Sequence, residues 1–524
     1  MKTLIILFGL LTSLYFPLQA MTTNSPPAFL QQFESKLLDA NAVSVLYKND
    51  DLLWLNKQQY TDQAYDALDF IANAPIHGLD AEHYHLSELR QLAPTIDRKA
   101  AEHFDVLLSD GLLALIHDLA VGRLDAHLVD PEWYIPQAKF DAVGFLQQAL
   151  LSRYLKNQLN TLIPITPDYI KLTQVLARYR AYVKQGGWPT ISEMPLLRPG
   201  DSNQNLAIIR ARLAIEDNQF SNVITENVDQ YDSLTEQALR RFQKQHVLKV
   251  DGVIGNETRN ELNVSAQDRV EQIKATLERR RWMPADLGAR YVQVNLATYT
   301  LTAVDDHNKA LAMRVIVGKN FRQTPSFVSQ ITQLVANPYW NVPYSLAVVD
   351  LLPKQQANIN YFHKNEIRVF SKVNGQRIER NPYSINWQAL GKNNFPYILR
   401  QDPGKINALG VVKFLFPNPW AIYLHDSPHR ELFNQTKRNM SSGCIRVEDP
   451  IEFANFSLAD TKTHQSLLDI LRSKENKGIK LAEPLTIYVV YMTVSIDEEY
   501  VIFSPDFYER DQNIIKKLKI PVLL

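Results

Sequence analysis

A single cysteine, Cys444, stands in a chain of 524 residues. An internal disulfide is therefore excluded, as is a metal site built on paired cysteines. Charge of one sign is lacking too: Lys plus Arg and Asp plus Glu number 56 each. No net field attracts a polyanion and no basic stripe stands out, so nucleic acid is not an expected partner. Beyond the first twenty residues there is no apolar run long enough to cross a membrane. His77, His83, His85, His103 and His117 have no metal-ligand spacing and no cysteine nearby, so they read as solvated or hydrogen-bonded side chains.

What is present begins with an export signal. Lys2, an apolar block over residues 4–14 and Pro17-Leu18-Gln19-Ala20 form the three regions of a signal peptide over residues 1–20. The residue after Ala20 is Met21, so lipid anchoring through a cysteine is not expected; an uncleaved signal leaves the chain associated with the inner membrane. Exported proteins usually pair their cysteines, which makes a lone thiol a candidate reactive group and its bland alternative a buried, inert side chain. Roughly 500 further residues suggest about three domains.

Ala64, Ala67, Leu68 and Ile71 have helical spacing, as do Phe104, Leu107, Leu108, Leu112, Leu115 and Leu119 up to Gly122. Residues 28–195 thus read as a helical domain. Around 195–201 a Pro/Gly-containing stretch reads as a linker. Ser233 to Glu236 has the form of a capping box that starts a short helix, and residues 200–264 form the next unit. A second box, Ser265 to Asp268, opens a bridging helix over 265–285 that stops at Met283-Pro284. Beyond it the apolar period changes to two, with strands predicted at 292–296, 313–317, 420–424 and 485–494. Residues 288–510 are therefore mainly β. Within them, about 345–408 break the rhythm with prolines, asparagines and exposed-looking aromatics (Phe362, Tyr383, Trp387, Phe395), as an inserted lid does, or else a surface excursion that stabilises the sheet edge.

The cysteine lies in Ser441-Ser442-Gly443-Cys444-Ile445-Arg446-Val447, nineteen residues after His425 of Ile422-Tyr423-Leu424-His425-Asp426. A thiol nucleophile needs a base, and an imidazole at the end of an apolar strand suits that role. His429 is the internal competitor. Gly443 permits close backbone approach, and the amides of Gly443 and Cys444 are candidate oxyanion donors. On an extended segment Arg446 shares a face with Cys444, to hold a substrate carboxylate or favour the thiolate, or else to form a structural ion pair. Tyr423 shares a face with His425 in the same way.

These motifs resemble the active-site signature of L,D-transpeptidases of the YkuD type. Val317-Gly318-Lys319, Gln323-Thr324-Pro325, the stretch from Asn337 to Pro343 that contains Trp340, and Tyr491-Met492-Thr493-Val494 agree with it. Phe242, Gln243, Asp251, Gly252, Ile254, Gly255 and Thr258 resemble a peptidoglycan-binding module. The whole is similar to the large Gram-negative members, whose mark is serine at Ser442 where smaller relatives have histidine. The resemblance implies a multidomain α+β protein: a helical scaffold, a small helical peptidoglycan-binding-like module and a mainly-β catalytic domain with a capping insertion. It also implies a periplasmic enzyme acting on tetrapeptide stems, with Cys444 as nucleophile, His425 as base, and Arg446, Ser442, Tyr423 and Trp340 binding substrate. The expected product is a 3-3 cross-link formed through a thioester. A lipoprotein lysine, a free D-amino acid or water are alternative acceptors, and a non-catalytic wall-binding scaffold is the alternative of another class. Carbapenems are expected covalent inhibitors and other wall-synthesis proteins possible partners, with no metal or organic cofactor implied.

Overall fold

The computed structural model describes residues 30–519 except 31, 48–51, 57–58, 93–96, 153, 218, 222–226, 460, 462–465 and 499. The signal segment lies outside the described residues. No helix among those described is long and apolar enough to cross a membrane.

The N-terminal region is helical, as its periodicity requires. Thr61 caps the Asp62–Ala72 helix through the amide of Ala64, and Gly122 ends the long Arg98–Val121 helix. Both helices turn their apolar stripes into one core with Tyr47 and Trp54. Asp105 sits inside it, accepting the amides of Leu53 and Trp54 at 3.0 and 2.7 Å. A buried carboxyl is tolerable there because the backbone satisfies it, and burial pushes its pKa up to about 6.

The next unit packs the helices Leu206–Glu216, Ser233–Gln245 and Asn256–Leu262 around Ile209, Leu239, Phe242 and Ile254. Leu197 is buried in this core and bridges to Ile254, so residues 195–201 belong to the unit and are not a free linker. Asp232, not Ser233, caps its middle helix, accepting the amide of Thr235 at 2.8 Å. Much of the motif that marked the unit holds its own turn. Gln243 accepts the amides of Asp251 and Gly252 at 3.1 and 2.9 Å and donates to the carbonyl of Val253 at 3.1 Å.

The Ala266–Trp282 helix is capped by Ser265 as its box predicts. It is more than a bridge: it is buried between regions. Val270, Ile273 and Leu277 pack with Tyr169, Leu172 and Leu176 of the scaffold and with Val494 and Phe503 of the C-terminal region. Arg279 pairs with Asp511 and lies 3.6 Å from Asp130, while Arg281 pairs with Glu278. Buried charges of this kind persist only when paired, and removing one partner typically costs about 3–5 kcal/mol.

Among the described residues the C-terminal region contains a nine-stranded sheet. In spatial order its strands are Asn439–Ser441, Asn308–Gly318, Ile445–Val447, Leu424–His425, Val412–Leu415, Phe327–Ala336, Lys477–Val490, Tyr291–Asn295 and Thr300–Asp305. Thr300–Asp305 also pairs with Asn308–Gly318, so the pairing closes on itself around an apolar interior. The strand predicted at 420–424 is only Leu424–His425, because Ala421 at φ 54° interrupts the extended backbone before it. The strand expected over 485–494 starts at Lys477, ends at Val490, and resumes at Val494.

The insertion is a folded unit with its own four-stranded sheet, ordered Trp340–Asn341, Tyr397–Gln401, Ile367–Val373 and Gln376–Arg380. It thus starts five residues before the expected 345. Phe362, Trp387 and Phe395 are not surface aromatics but its core, and of the four named only Tyr383 is exposed. Polar composition hid a core whose apolar residues are few but large.

Candidate active site

Sheet parity builds the site. In the parallel pair, Leu424 lies opposite Ile445 and His425 opposite Arg446. Leu424, Ile445 and Val447 point into the closed core. Alternation then puts Tyr423, His425, Cys444 and Arg446 together on the opposite face. The next strand over contributes one more side chain to that face: Lys413 is paired with His425, while its neighbours Val412 and Phe414 enter the core.

The loop that delivers Cys444 is held at every step. Ser441 Oγ accepts the amide of Gly443 at 3.1 Å and donates to the carbonyl of Cys444 at 2.5 Å. Thr324, fully buried, donates to the carbonyl of Gly443 at 2.8 Å and accepts the amide of Gly318 at 3.0 Å. Arg510 fixes Thr324 in turn through its carbonyl at 3.0 Å. Gly443 itself has φ 115°, a backbone that a side chain rarely adopts. Because the Gly443 amide is engaged by Ser441, it is not free to serve an oxyanion here; the amide of Cys444 has no partner among the described residues.

Cys444 is half-buried. Burial pushes its thiol above the ordinary value, while hydrogen bonds from Tyr423 and the Arg446 guanidinium pull it back. Its contacts are with Tyr423 and, at 4.0 Å, the carbonyl of Ala421. No hydrogen bond joins Cys444 to His425; the two are diagonal neighbours across the strand pair, a separation an aromatic side chain can span. The ring of Tyr423, which touches the thiol, lies 5.7 Å from that of His425.

His425 is almost wholly buried. Its Nδ1–H donates to the carbonyl of Asp426 at 2.5 Å, which fixes the tautomer and leaves Nε2 as the acceptor. Burial first, then the charges of Arg446 and Lys413, lower its pKa to about 3, so the ring is neutral. Asp426 is spent on the backbone, accepting the amides of Val411 and Ser427 at 2.8 and 2.6 Å, and on Arg430 at 3.0 Å. His429 is exposed and paired with Glu431 at 3.3 Å.

Arg446 has no carboxylate or hydrogen-bond partner among the described residues, and its Nε is buried. The structural ion pair considered for it is absent among the described residues. Ser442 is exposed, and its hydroxyl accepts from Arg322 at 3.0 Å. The same guanidinium pairs with Asp350 of the insertion at 2.7 Å, so one side chain connects cap and nucleophile loop. Trp340 pairs with Gln401 in the small sheet and packs on the insertion's core. Sequence reasoning passed over Lys413, Arg322 and the roles of Ser441 and Thr324. The period-two pattern around Val412 and Phe414 is the signal that would have exposed Lys413 as the polar residue between two core positions.

A sheet that offers a thiol and a neutral imidazole on one face, in a chain with a helical region and a small helical module, has the chemistry of a multidomain cysteine-dependent acyl-transfer site. Family models make that specific: residues 289–464 match the L,D-transpeptidase catalytic domain named YkuD, residues 41–176 a scaffold domain, and residues 202–262 a "Putative peptidoglycan binding domain". The protein therefore carries a YkuD-type L,D-transpeptidase catalytic domain, of a family of cysteine transpeptidases, joined to a scaffold and a peptidoglycan-binding domain. A protein of Haemophilus influenzae described as "Putative L,D-transpeptidase" is 38% identical over 224 residues. That match spans 42% of this chain and 44% of the relative. Two crystal structures are also similar. An L,D-transpeptidase of Stackebrandtia nassauensis is 12% identical, with 58% of this chain and 96% of that one covered and a TM-score of 0.22. One of Xylanimonas cellulosilytica is 14% identical, with 57% and 100% covered and a TM-score of 0.18.

Proposed function

We propose that the protein is a periplasmic L,D-transpeptidase that forms 3-3 cross-links between peptidoglycan stems through an acyl-enzyme on Cys444. The observation that carries this reading is the single polar face shared by Cys444, Tyr423, His425 and Arg446, backed by the apolar core.

The donor is a tetrapeptide stem. Rotation of the thiol toward His425 lets Nε2 take its proton, and the thiolate attacks the carbonyl of the third-residue L-centre. The tetrahedral oxyanion is met by the Cys444 amide, whose loop is already fixed by Ser441 and Thr324. Collapse breaks the peptide bond, and the proton on His425 passes to the departing amine of the terminal D-alanine. The amine of a second stem's diamino acid then attacks the thioester, loses its proton to His425 and frees the thiol. Donor, acceptor and proton thus balance with no further reagent. Carbapenems, as acylating agents with a carboxylate, suit the same cysteine. The second domain suits retention on the wall.

The test is incubation of the purified protein with a defined tetrapeptide stem, with and without an amine acceptor, followed by intact-protein and product mass. A thioester adduct that turns into a cross-linked dimer is expected, and Cys444→Ala should retain its fold and give neither. Undiminished cross-linking by that variant, or no adduct on the wild-type protein, overturns the reading; release of free tripeptide alone makes water the acceptor.

A further inference from the structure

Across three neighbouring strands, Lys413, His425 and Arg446 occupy one row, with the histidine in the middle. Both cations are half-buried, and neither has a carboxylate partner among the described residues. The Lys413 ammonium lies 5.7 Å from the centre of the Tyr423 ring, over the residue that touches the thiol. The carboxylate nearest in sequence to this row, Asp426, is already saturated by two backbone amides and Arg430. Burial depresses the pKa of both Lys413 and Arg446, which is the electrostatic signature of charge held without a counterion. Two such cations, one on each side of a buried ring, are costly unless an anion arrives to share them.

We propose that Lys413 and Arg446 together form a cradle for the free C-terminal carboxylate of the donor stem, and that this cradle restricts cleavage to the last residue. The inference rests on the transpeptidase reading above. Its geometry follows from the proton's route. The imidazole that protonates the departing amine must lie within hydrogen-bond distance of that nitrogen. The terminal residue's carboxylate is one carbon away from the same nitrogen, so it falls beside His425. That is where the row places one cation on each side. Adjacent strands lie about 4.8 Å apart, so the two flanking backbones are roughly 10 Å apart. Long side chains from both can converge on one carboxylate above the ring. A peptide that continues beyond the scissile bond offers a neutral amide there and leaves both charges unpaired, which is discrimination by an unmet buried group.

Donor stems ending in a free acid and in a carboxamide, otherwise identical, separate the ideas. Acyl-enzyme formation would be followed by intact-protein mass for the wild-type chain, Lys413→Met and Lys413→Arg. The wild-type protein should prefer the acid by at least tenfold in acylation efficiency. Lys413→Met should bring the acid-to-amide ratio toward one, mainly through KM for the acid, and Lys413→Arg should restore most of it. A packing role for the lysine stem would lower both substrates together, and methionine keeps that stem's length. An unchanged ratio in Lys413→Met, or equal wild-type rates on acid and amide, overturns the cradle and leaves the transpeptidase reading standing. Absence of any wild-type adduct from the acid stem overturns that reading and the cradle with it.

Discussion

The hydroxyl of Thr324 donates to the carbonyl of Gly443, the residue before the nucleophile, at 2.8 Å, while accepting the amide of Gly318 at 3.0 Å. One buried side chain therefore ties the end of a long strand to the loop that presents the thiol. Thr324→Val keeps the shape and removes both bonds. Each buried group left unpaired costs about 1–3 kcal/mol, so a fall in melting temperature of several degrees is expected. Acylation of Cys444 should slow by about 10- to 100-fold, because a shift of about 1 Å in a reacting group has that effect. A variant with wild-type acylation would show that the loop holds itself.

The thiol and the imidazole differ in what pH does to them. His425 is held neutral by burial and the neighbouring cations, with a pKa of about 3, whereas burial raises the Cys444 thiol above its ordinary value. Lowering pH therefore removes thiolate long before it charges the histidine. Alkylation by iodoacetamide should rise steadily from pH 7 to beyond 9, as mass spectrometry can follow, with no step near pH 6.5. A step there would mean that the histidine titrates normally.

Tyr423 is the residue whose hydrogen bonds lower the thiol's pKa. Tyr423→Phe removes the hydroxyl and keeps the ring beside His425. Alkylation at fixed pH should slow by about three- to tenfold, with the whole pH profile displaced to the alkaline side; a net hydrogen bond of about 1 kcal/mol corresponds to that range. An unmoved profile would assign the hydroxyl to substrate alone.

Replacement of the two histidines should give opposite results. His425→Ala is expected to reduce acyl-enzyme formation by at least about a hundredfold, the usual contribution of a positioned base. His429→Ala, on an exposed side chain paired with Glu431, should stay within about twofold of wild type. A reversed order would move the base to His429.

Arg322 joins Asp350 of the insertion to Ser442 of the nucleophile loop. The pair is partly exposed, so Asp350→Asn should change stability by less than about 1 kcal/mol. Its expected effect is on access: a bulky maleimide should gain on iodoacetamide in the rate of Cys444 labelling. Equal acceleration of both reagents would point to the thiol itself and not to the cap.

Several of these relationships were legible in the chain. Ser265 and Gly122 announce their helix ends because capping is local chemistry. Cys444 and Arg446, or Tyr423 and His425, share a face because alternation along a strand is fixed at period two. Other features were misread for equally physical reasons. Phe362, Trp387 and Phe395 look exposed among prolines and asparagines, yet they bury one another. Ser233 has capping chemistry, but Asp232 stands one residue nearer the true helix start. The Gly443 amide reads as a free donor until Ser441 is seen to occupy it.

Sequence alone determined the lone thiol, the candidate residues around it and the parity that puts each pair on one side of a strand, since these depend only on composition and on neighbours along the backbone. Tertiary structure decided that the two strands run parallel in a register that sets His425 against Arg446, and that Lys413 completes the row from a third strand. Register between strands depends on the whole closed sheet and its core. No residue carries that information by itself, so the cations that flank the histidine emerge only when the sheet is assembled.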